Sequence, residues 1–210
     1  MCRIALILLS LFAISPAAFG ELNKAELSVS CGYPDLDKPS HSIGATRKSQ
    51  ESRMDWQIKH ALVAINSRRN VAGSLAILEK ASLAGNMLAR FELGSLYMLD
   101  LHGIEYDVTL RPLRADWGIA RSYLLGVTGE KQLHAMILLG AIHAQAAQAT
   151  PQDIDLARKY FSQSKRCIDS IAKILAHKGA RSEDEVARGI ELHFESGLLT
   201  ELSEKYKLEP

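Results

Sequence analysis

The pattern of apolar positions predicts amphipathic helices from about residue 50 onwards. Between Glu51 and Asn70 apolar side chains recur at steps of three and four residues, which is the spacing of one face of a helix. Similar runs continue to about residue 178, and none shows the alternation of apolar and polar residues that is typical of a strand. The pattern therefore predicts an all-α fold.

A last helix is predicted after Gly179. Ser182 and Glu185 have the spacing of a capping box, which marks the start of a helix. One face of this helix is apolar and contains Val186, Ile190, Phe194 and Leu198. We interpret residues 180–210 as a C-terminal capping helix and a polar tail, whose last ten residues we expect to fray.

Residues 1–20 have the pattern of a secretory signal peptide. A short cationic start precedes an apolar run from Ile4 to Ile14, which is too short to span a bilayer. Ala18 and Gly20 supply the small residues of a cleavage site before Glu21, and cleavage three residues earlier is the alternative. We expect a periplasmic or secreted protein without a membrane span after cleavage. A retained N-terminal anchor would require a longer apolar stretch.

The mature chain begins with a segment that lacks a helical period. Residues 21–49 contain Gly32, Pro34, Pro39 and Gly44 among serines and charged residues. This composition predicts an extended N-terminal arm. The helical repeat domain is expected to cover residues 50–179.

Two segments of the helical region are similar to each other at a constant offset of 46 residues. The matching positions are Asn70, Ser74, Ile77, Ala89, Leu93, Gly94 and Tyr97 in the first copy and Asp116, Ala120, Tyr123, Ala135, Leu139, Gly140 and His143 in the second. A third, partial copy follows at an offset of 37, because the first joint carries nine extra residues within Leu101 to Arg114. Such self-similarity is typical of stacked helix pairs.

The first copy resembles the Sel1-like repeat, a relative of the tetratricopeptide repeat. The resemblance rests on Ala89-x-x-x-Leu93-Gly94-x-x-Tyr97 followed by Gly103-Ile104-x-x-Asp107, and it covers about Asn70 to Ser164. The second copy has His143 at the aromatic position, and the glycine pair of the family's joint is missing from both copies. The resemblance implies a short α-solenoid with capping helices and a role as a protein-binding adaptor.

Charge and cysteine content narrow the class of function. The chain has 25 basic and 24 acidic residues, a formal net charge of +1, so we expect no nucleic-acid partner. Removal of the signal peptide leaves two cysteines, Cys31 and Cys167. In an oxidising compartment they are expected to form a disulfide, although a buried thiol at Cys167 and an exposed one at Cys31 is the alternative.

No catalytic motif stands out. His102 and Glu105, and His193 and Glu195, lack the spacing of a zinc-protease helix and a third ligand. The sequence has no nucleophile elbow, phosphate-binding loop or dinucleotide fingerprint. We therefore predict no catalytic residue, no cofactor and no metal, with a periplasmic hydrolase as the remote alternative.

The predicted function is a periplasmic scaffold that binds another protein. One interpretation is an immunity protein that neutralises a secreted toxin, as some small exported proteins of the Sel1-like family do, and the formally neutral mature chain is compatible with it. The alternatives are an assembly or maintenance factor of a cell-envelope complex, or a structural part of such an assembly.

The solenoid arrangement predicts where a partner binds. If Leu93 and Leu139 face the core, the helical period places the following residues toward a concave groove: Leu88, Phe91, Ser95, Met98, Leu99, His134, Ile137, Ala141, Ala144 and Gln145. From the long joint, Tyr106 and Arg111 are expected to contact the partner as well. The alternative is that the N-terminal helix or the arm fills the groove, which would make Phe91 and Met98 core residues.

Overall fold

The fold is all-α, as predicted. The computed structural model describes residues 29–32, 45–67, 69–98, 116–146, 151–177 and 183–208, and within these ranges there are helices and short connections but no strand. The helices are α1 (Ala45–Asn66), α2 (Val71–Leu83), α3 (Met87–Met98), α4 (Trp117–Leu124), α5 (Gln132–Ala146), α6 (Pro151–His177) and α7 (Glu183–Tyr206), with a 3₁₀ turn at Gly129–Lys131 before α5. None of the described helices combines the length and the apolar content that crossing a bilayer requires.

Three boundaries differ from the prediction. α1 begins at Ala45, before the expected Glu51, and residues 29–31 of the predicted arm are helical. α7 continues to Tyr206, so the prediction of a frayed end is wrong. Ser203 and Leu208 are buried there, and Leu208 packs into a core cluster. The signal peptide and the long joint from Leu101 to Arg114 lie outside the described residues.

The first two copies have a polar residue immediately before equivalent helices, whereas Asp153 of the third copy lies in the first turn of α6. Asp116 caps α4 by accepting a hydrogen bond of 2.9 Å from the backbone nitrogen of Ile119. Its counterpart Asn70 immediately precedes α2. The Asn86 side chain likewise accepts a hydrogen bond of 2.9 Å from the Ala89 nitrogen at the start of α3. Gly85 makes the turn between α2 and α3 at a φ of 87°, which glycine adopts without steric cost.

The buried apolar residues that the structure describes form three clusters, and each cluster joins three consecutive helices. The first holds α1, α2 and α3 together through Ile58, Leu78 and Leu93. The second joins α3, α4 and α5, and the third joins α5, α6 and α7. The main helix contacts therefore run between neighbours along the chain, with a further contact between α5 and α7.

One close contact between helices is made twice. A Cβ atom at Gly94 in α3 would lie 2.7 Å from the Leu124 side chain of α4, and one at Gly140 in α5 would overlap the Phe161 ring of α6. Gly140 follows Gly94 by 46 residues and Phe161 follows Leu124 by 37, which are the two offsets of the sequence repeat. The absent side chain at each glycine lets the next helix approach.

A stacked pair of rings accompanies each of these contacts. Tyr97 stacks on Tyr123 with ring centroids 5.9 Å apart, and His143 stacks on Tyr160 at 5.7 Å. These pairs are related by the same offsets of 46 and 37 residues. The histidine at the aromatic position of the second copy therefore takes the packing role of Tyr97.

The predicted disulfide between Cys31 and Cys167 is present. The two Cα atoms are 5.7 Å apart, and both side chains are buried in the cluster of α5, α6 and α7. Gln132 Nε2 donates a hydrogen bond of 2.9 Å to the carbonyl of Val29, two residues before Cys31. The bond thus holds residues 29–32 against α6 and the start of α5.

Substituting Gly140 tests the close contact. Gly140→Ala should lower the free energy of unfolding by about 1 to 2 kcal/mol, because overpacking against the buried Phe161 ring outweighs the gain in helix propensity. The measurement is urea unfolding followed by circular dichroism. Gly197→Ala is the matched control, since a Cβ at this helical glycine has open space and should add about 0.5 to 1 kcal/mol. Equal changes in the free energy of unfolding for Gly140→Ala and Gly197→Ala would contradict the close contact at Gly140.

Thiol titration tests the disulfide. The denatured, unreduced chain without residues 1–20 should show no free sulfhydryl group. Replacing both Cys31 and Cys167 with serine should lower the free energy of unfolding by about 2 to 5 kcal/mol, because the bond closes a long loop in the unfolded chain. Two titratable thiols in the untreated protein would contradict the bond.

Candidate functional site

The predicted groove residues of α3 are mostly part of the packing. Phe91 is only 6% exposed and belongs to the cluster of α3, α4 and α5. Leu88 is half-buried against the first cluster, and Met98 is half-buried against the second. Ser95 is half-buried and donates a hydrogen bond of 3.1 Å to the Phe91 carbonyl.

The groove predicted along α5 is filled. Ile137, Ala141 and Ala144 are buried, so they do not line an open surface. The cover comes from α6 and α7 rather than from the N-terminal helix, because α7 packs back onto α5 through Leu192 and Leu199. Sequence periodicity could not show this return of the C-terminal helix.

Two predicted groove residues of α5 remain accessible, and three predicted contact residues cannot be placed. His134 is half-buried and lies beside Phe91 with ring centroids 4.9 Å apart. Gln145 is exposed and accepts a hydrogen bond of 3.3 Å from the Tyr206 hydroxyl. Leu99, Tyr106 and Arg111 lie outside the described residues.

A cleft of about 420 Å³ opens where α3, the start of α5 and α7 meet. We call it the α7 cleft. The described side chains that line it are Phe91, Glu92, Lys131, His134, Ile190, Glu191, Phe194 and Glu195. The structure thus brings the predicted Phe91 and His134 together, and it adds charged residues from two other elements.

Glu191 organises the cationic groups of the α7 cleft. Its two carboxylate oxygens accept hydrogen bonds from Lys131 Nζ at 3.0 Å and from Arg188 Nη1 at 2.9 Å. Burial alone would raise the pKa of Glu191, but these two bonds outweigh it and lower the pKa. Glu191 is therefore ionised and holds both cations in place.

Glu195 lies beside this network in a less favourable environment. The residue is 3% exposed, and burial raises the pKa of its carboxyl to about 7, although Arg188 acts in the opposite direction. Arg188 Nη2 is 3.5 Å from Glu195 Oε2, an ion-pair distance without hydrogen-bond geometry. Among the described residues, this oxygen and the Nε and Nη2 atoms of Arg188 have no hydrogen-bond partner.

Burial also shifts the two groups on the opposite wall. It raises the pKa of Glu92, against the effect of Lys131. It lowers the pKa of His134 to about 4, and Lys131 adds to this shift. His134 is therefore neutral at pH 7 and presents an aromatic face to Phe91 and Phe194.

Three of the four residues on the apolar face predicted for α7 are exposed, and the fourth, Leu198, is half-buried against the cluster of α5, α6 and α7. Val186, Ile190 and Phe194 are 47%, 68% and 60% exposed, and we call these three residues the α7 stripe. The buried side carries Leu192 and Leu199 together with charged residues. A signal was present in the sequence, because the heptad spacing of Leu192 and Leu199 defines a second apolar face.

A second cleft, of about 310 Å³, lies near the end of α5 and the start of α6. His143 Nδ1 is 2.7 Å from Asp153 Oδ1 there, and Trp117 and Arg121 also line the cleft. The carboxylate fixes the His143 ring in the plane that stacks on Tyr160. This pair therefore stabilises the second copy of the ring contact.

The α7 cleft can bind but shows no means of holding a metal. Within the part of the chain that the structure describes, no group of three His, Cys, Asp or Glu side chains is placed to hold a metal ion. What the cleft offers is a pair of aromatic walls, an excess of carboxyl groups and exposed apolar side chains at its edge. These features suit a ligand with apolar and cationic parts.

The pKa of Glu195 is raised and that of His134 is lowered, so the two residues change the free energy of unfolding with pH in opposite directions. Substituting Glu195 separates its effect from that of His134. Glu195 keeps its proton up to about pH 7 in the folded chain but ionises above 4.5 when unfolded, so it lowers stability as the pH rises from 4.5 to 7. His134 stays neutral down to about pH 4 in the folded chain but is protonated below 6.5 when unfolded, so it lowers stability as the pH falls from 6.5 to 4. Glu195→Gln should match the wild type at pH 5 and exceed its stability at pH 8 by about 1 to 3 kcal/mol.

Urea unfolding at pH 5, 6, 7 and 8 measures this difference. Glu201→Gln is the control, because Glu201 is an exposed residue of the same helix and its substitution should leave the wild-type profile unchanged. If the free energy of unfolding of Glu195→Gln and of the wild type changes with pH in parallel, the raised pKa assigned to Glu195 is refuted.

Comparisons of the chain with known protein families, with curated proteins and with solved structures find no match.

Proposed function

We propose that this chain is an exported scaffold that binds another protein, built as a short solenoid of Sel1-like helix pairs. The observation that carries the proposal is the contact made twice, at Gly94 with Leu124 and at Gly140 with Phe161. A helix pair that repeats its own interface extends the surface with each copy. Repeat stacks of this kind bind other proteins along that extended surface.

The disulfide supports an exported location. Cys31 and Cys167 are buried and bonded, and such bonds persist in oxidising compartments such as the periplasm. The signal peptide predicted for residues 1–20 agrees with this compartment.

Within this class we favour an immunity protein that blocks a toxic enzyme delivered by a competitor. A rigid stack with a covalently fixed N-terminal segment suits inhibition, because a pre-organised surface loses little entropy when it binds. The α7 cleft and the α7 stripe supply an apolar anchor site of the kind that dominates binding energy.

Cross-linking in the cell envelope tests the proposal. A C-terminally tagged chain should appear in the osmotic-shock fraction, begin at Glu21, and form a stoichiometric adduct with one other protein after formaldehyde treatment. For an immunity protein, the captured protein should stop growth when exported alone, and production of this chain should restore growth.

The matched control is an unrelated exported helical protein with the same tag. A captured subunit of an envelope complex that fails to assemble without this chain would establish the assembly role instead. A chain that begins at Met1 in the cytoplasm, or that forms no adduct in the envelope, would refute the proposed function.

A further inference from the structure

The α7 stripe is an unusual surface for a capping helix. Val186, Ile190 and Phe194 are spaced by four residues and so line up along one side of α7. They lie on the side opposite to the buried Leu192 and Leu199. A continuous row of large exposed apolar side chains is typical of an interaction site, whereas single exposed residues are not.

The α7 cleft continues this surface toward the core. Ile190 and Phe194 belong to both, so the stripe forms the outer edge of the cleft. His134 lies between two aromatic rings, with centroids 4.9 Å from Phe91 and 5.7 Å from Phe194. An aliphatic stem can lie along these walls while its charged end reaches deeper, as arginine and lysine side chains do.

The charges of the site favour a cationic ligand. Among the described residues here, three carboxyl groups, Glu92, Glu191 and Glu195, face two cationic groups, Lys131 and Arg188. Both cations are already hydrogen-bonded to Glu191. When Glu92, Glu191 and Glu195 are all ionised, the site carries one net negative charge, so an added positive group favours the ionised form of Glu195. Two buried donors of Arg188, Nε and Nη2, also lack a hydrogen-bond partner among the described residues.

One of the three carboxyl groups has a buried oxygen atom without a hydrogen bond. Glu195 lines the cleft, is more than nine-tenths buried, and its Oε2 atom has no hydrogen-bond partner among the described residues. Arg188 Nη2 lies 3.5 Å away, at ion-pair distance but without hydrogen-bond geometry, so the oxygen can still accept a hydrogen bond from a further donor. A guanidinium or ammonium group supplies several donors at once.

The extent of the surface indicates a protein segment rather than a small molecule. From Val186 to Phe194 the stripe runs for about 12 Å along α7, beyond the mouth of the cleft. Glu92 and Glu191 offset Lys131 and Arg188, so the described site has no excess of positive charge that would attract nucleic acid or anionic lipid.

We propose that the α7 stripe and the α7 cleft are the docking surface for a segment of a partner protein in which apolar side chains flank an arginine or a lysine. The apolar side chains cover Val186, Ile190 and Phe194, and the basic side chain enters the cleft toward Glu92 and Glu195. This assignment rests on the protein-binding function proposed above and specifies the surface and the chemistry of the partner.

Selection of peptides tests the chemistry. The probe is a random dodecapeptide library displayed on phage and selected against the mature protein. The enriched peptides should contain arginine or lysine next to leucine, isoleucine or phenylalanine. Affinities of the synthetic peptides are then measured by fluorescence anisotropy.

Substitutions locate the binding site. Phe194→Ser should weaken peptide binding by about tenfold or more, and Glu195→Gln by about fivefold to tenfold. Glu92→Gln provides a second test of the carboxyl groups in case Glu195→Gln does not fold. Val63→Ser is the matched control, because Val63 is exposed to a similar degree on α1, and it should change affinity less than twofold.

Several results would overturn the inference: no enrichment, enriched peptides without a basic residue, or binding that survives both Phe194→Ser and the carboxyl variants. A wild-type dimer in sedimentation experiments that Phe194→Ser dissociates would also overturn it, since a second copy would then occupy the stripe. The envelope cross-linking experiment separates this inference from the proposed function. A natural partner captured equally by the wild type and by Phe194→Ser would leave the function standing and refute only the surface, whereas a wild type that captures nothing would refute the function.

Discussion

The spacing of the helices in this protein depends on side chains that lie against the bare backbone of a glycine in a neighbouring helix. Leu124 occupies this place at Gly94, and Phe161 occupies it at Gly140. Because any larger residue would move the neighbour outward, these two positions determine how closely α4 meets α3 and α6 meets α5. The stacked rings that accompany them require the same separation, so the geometry of each helix pair follows from one small residue.

The position of α7 is a consequence of this stacking. α5 is apolar around most of its circumference, and a helix of this kind needs neighbours on every side. α4 and α6 cover two sides, and α7 returns to cover the side that carries Ile137. Where α7 approaches the start of α5, its charged residues meet Lys131, and the gap left between α3 and α7 is the α7 cleft.

Features that depend on local sequence could be predicted, whereas those that depend on the packing of distant helices could not. The small residue at Gly140 follows from the spacing of the repeat alone, and the disulfide is the expectation from the two cysteines that remain once the predicted signal peptide is removed. The charged residues Glu92, Lys131 and Glu191 of the α7 cleft come from three separate elements, so no local sequence motif predicts that they lie together. The burial of Phe91 likewise depends on how α3, α4 and α5 close around it.

The orientation of α7 is the strongest physical reason to regard its outer face as functional. The helix carries two apolar patterns, one containing Ile190 and Phe194 and one containing Leu192 and Leu199. The observed orientation buries the second pattern together with Glu195, and it leaves the larger Phe194 in solvent. Burying a carboxyl whose Oε2 atom has only a long ion pair with Arg188, while exposing an aromatic ring, works against stability on both counts. Natural chains tolerate such conflicts mainly at functional sites, and the docking proposed above would resolve both by covering the ring and donating to Glu195.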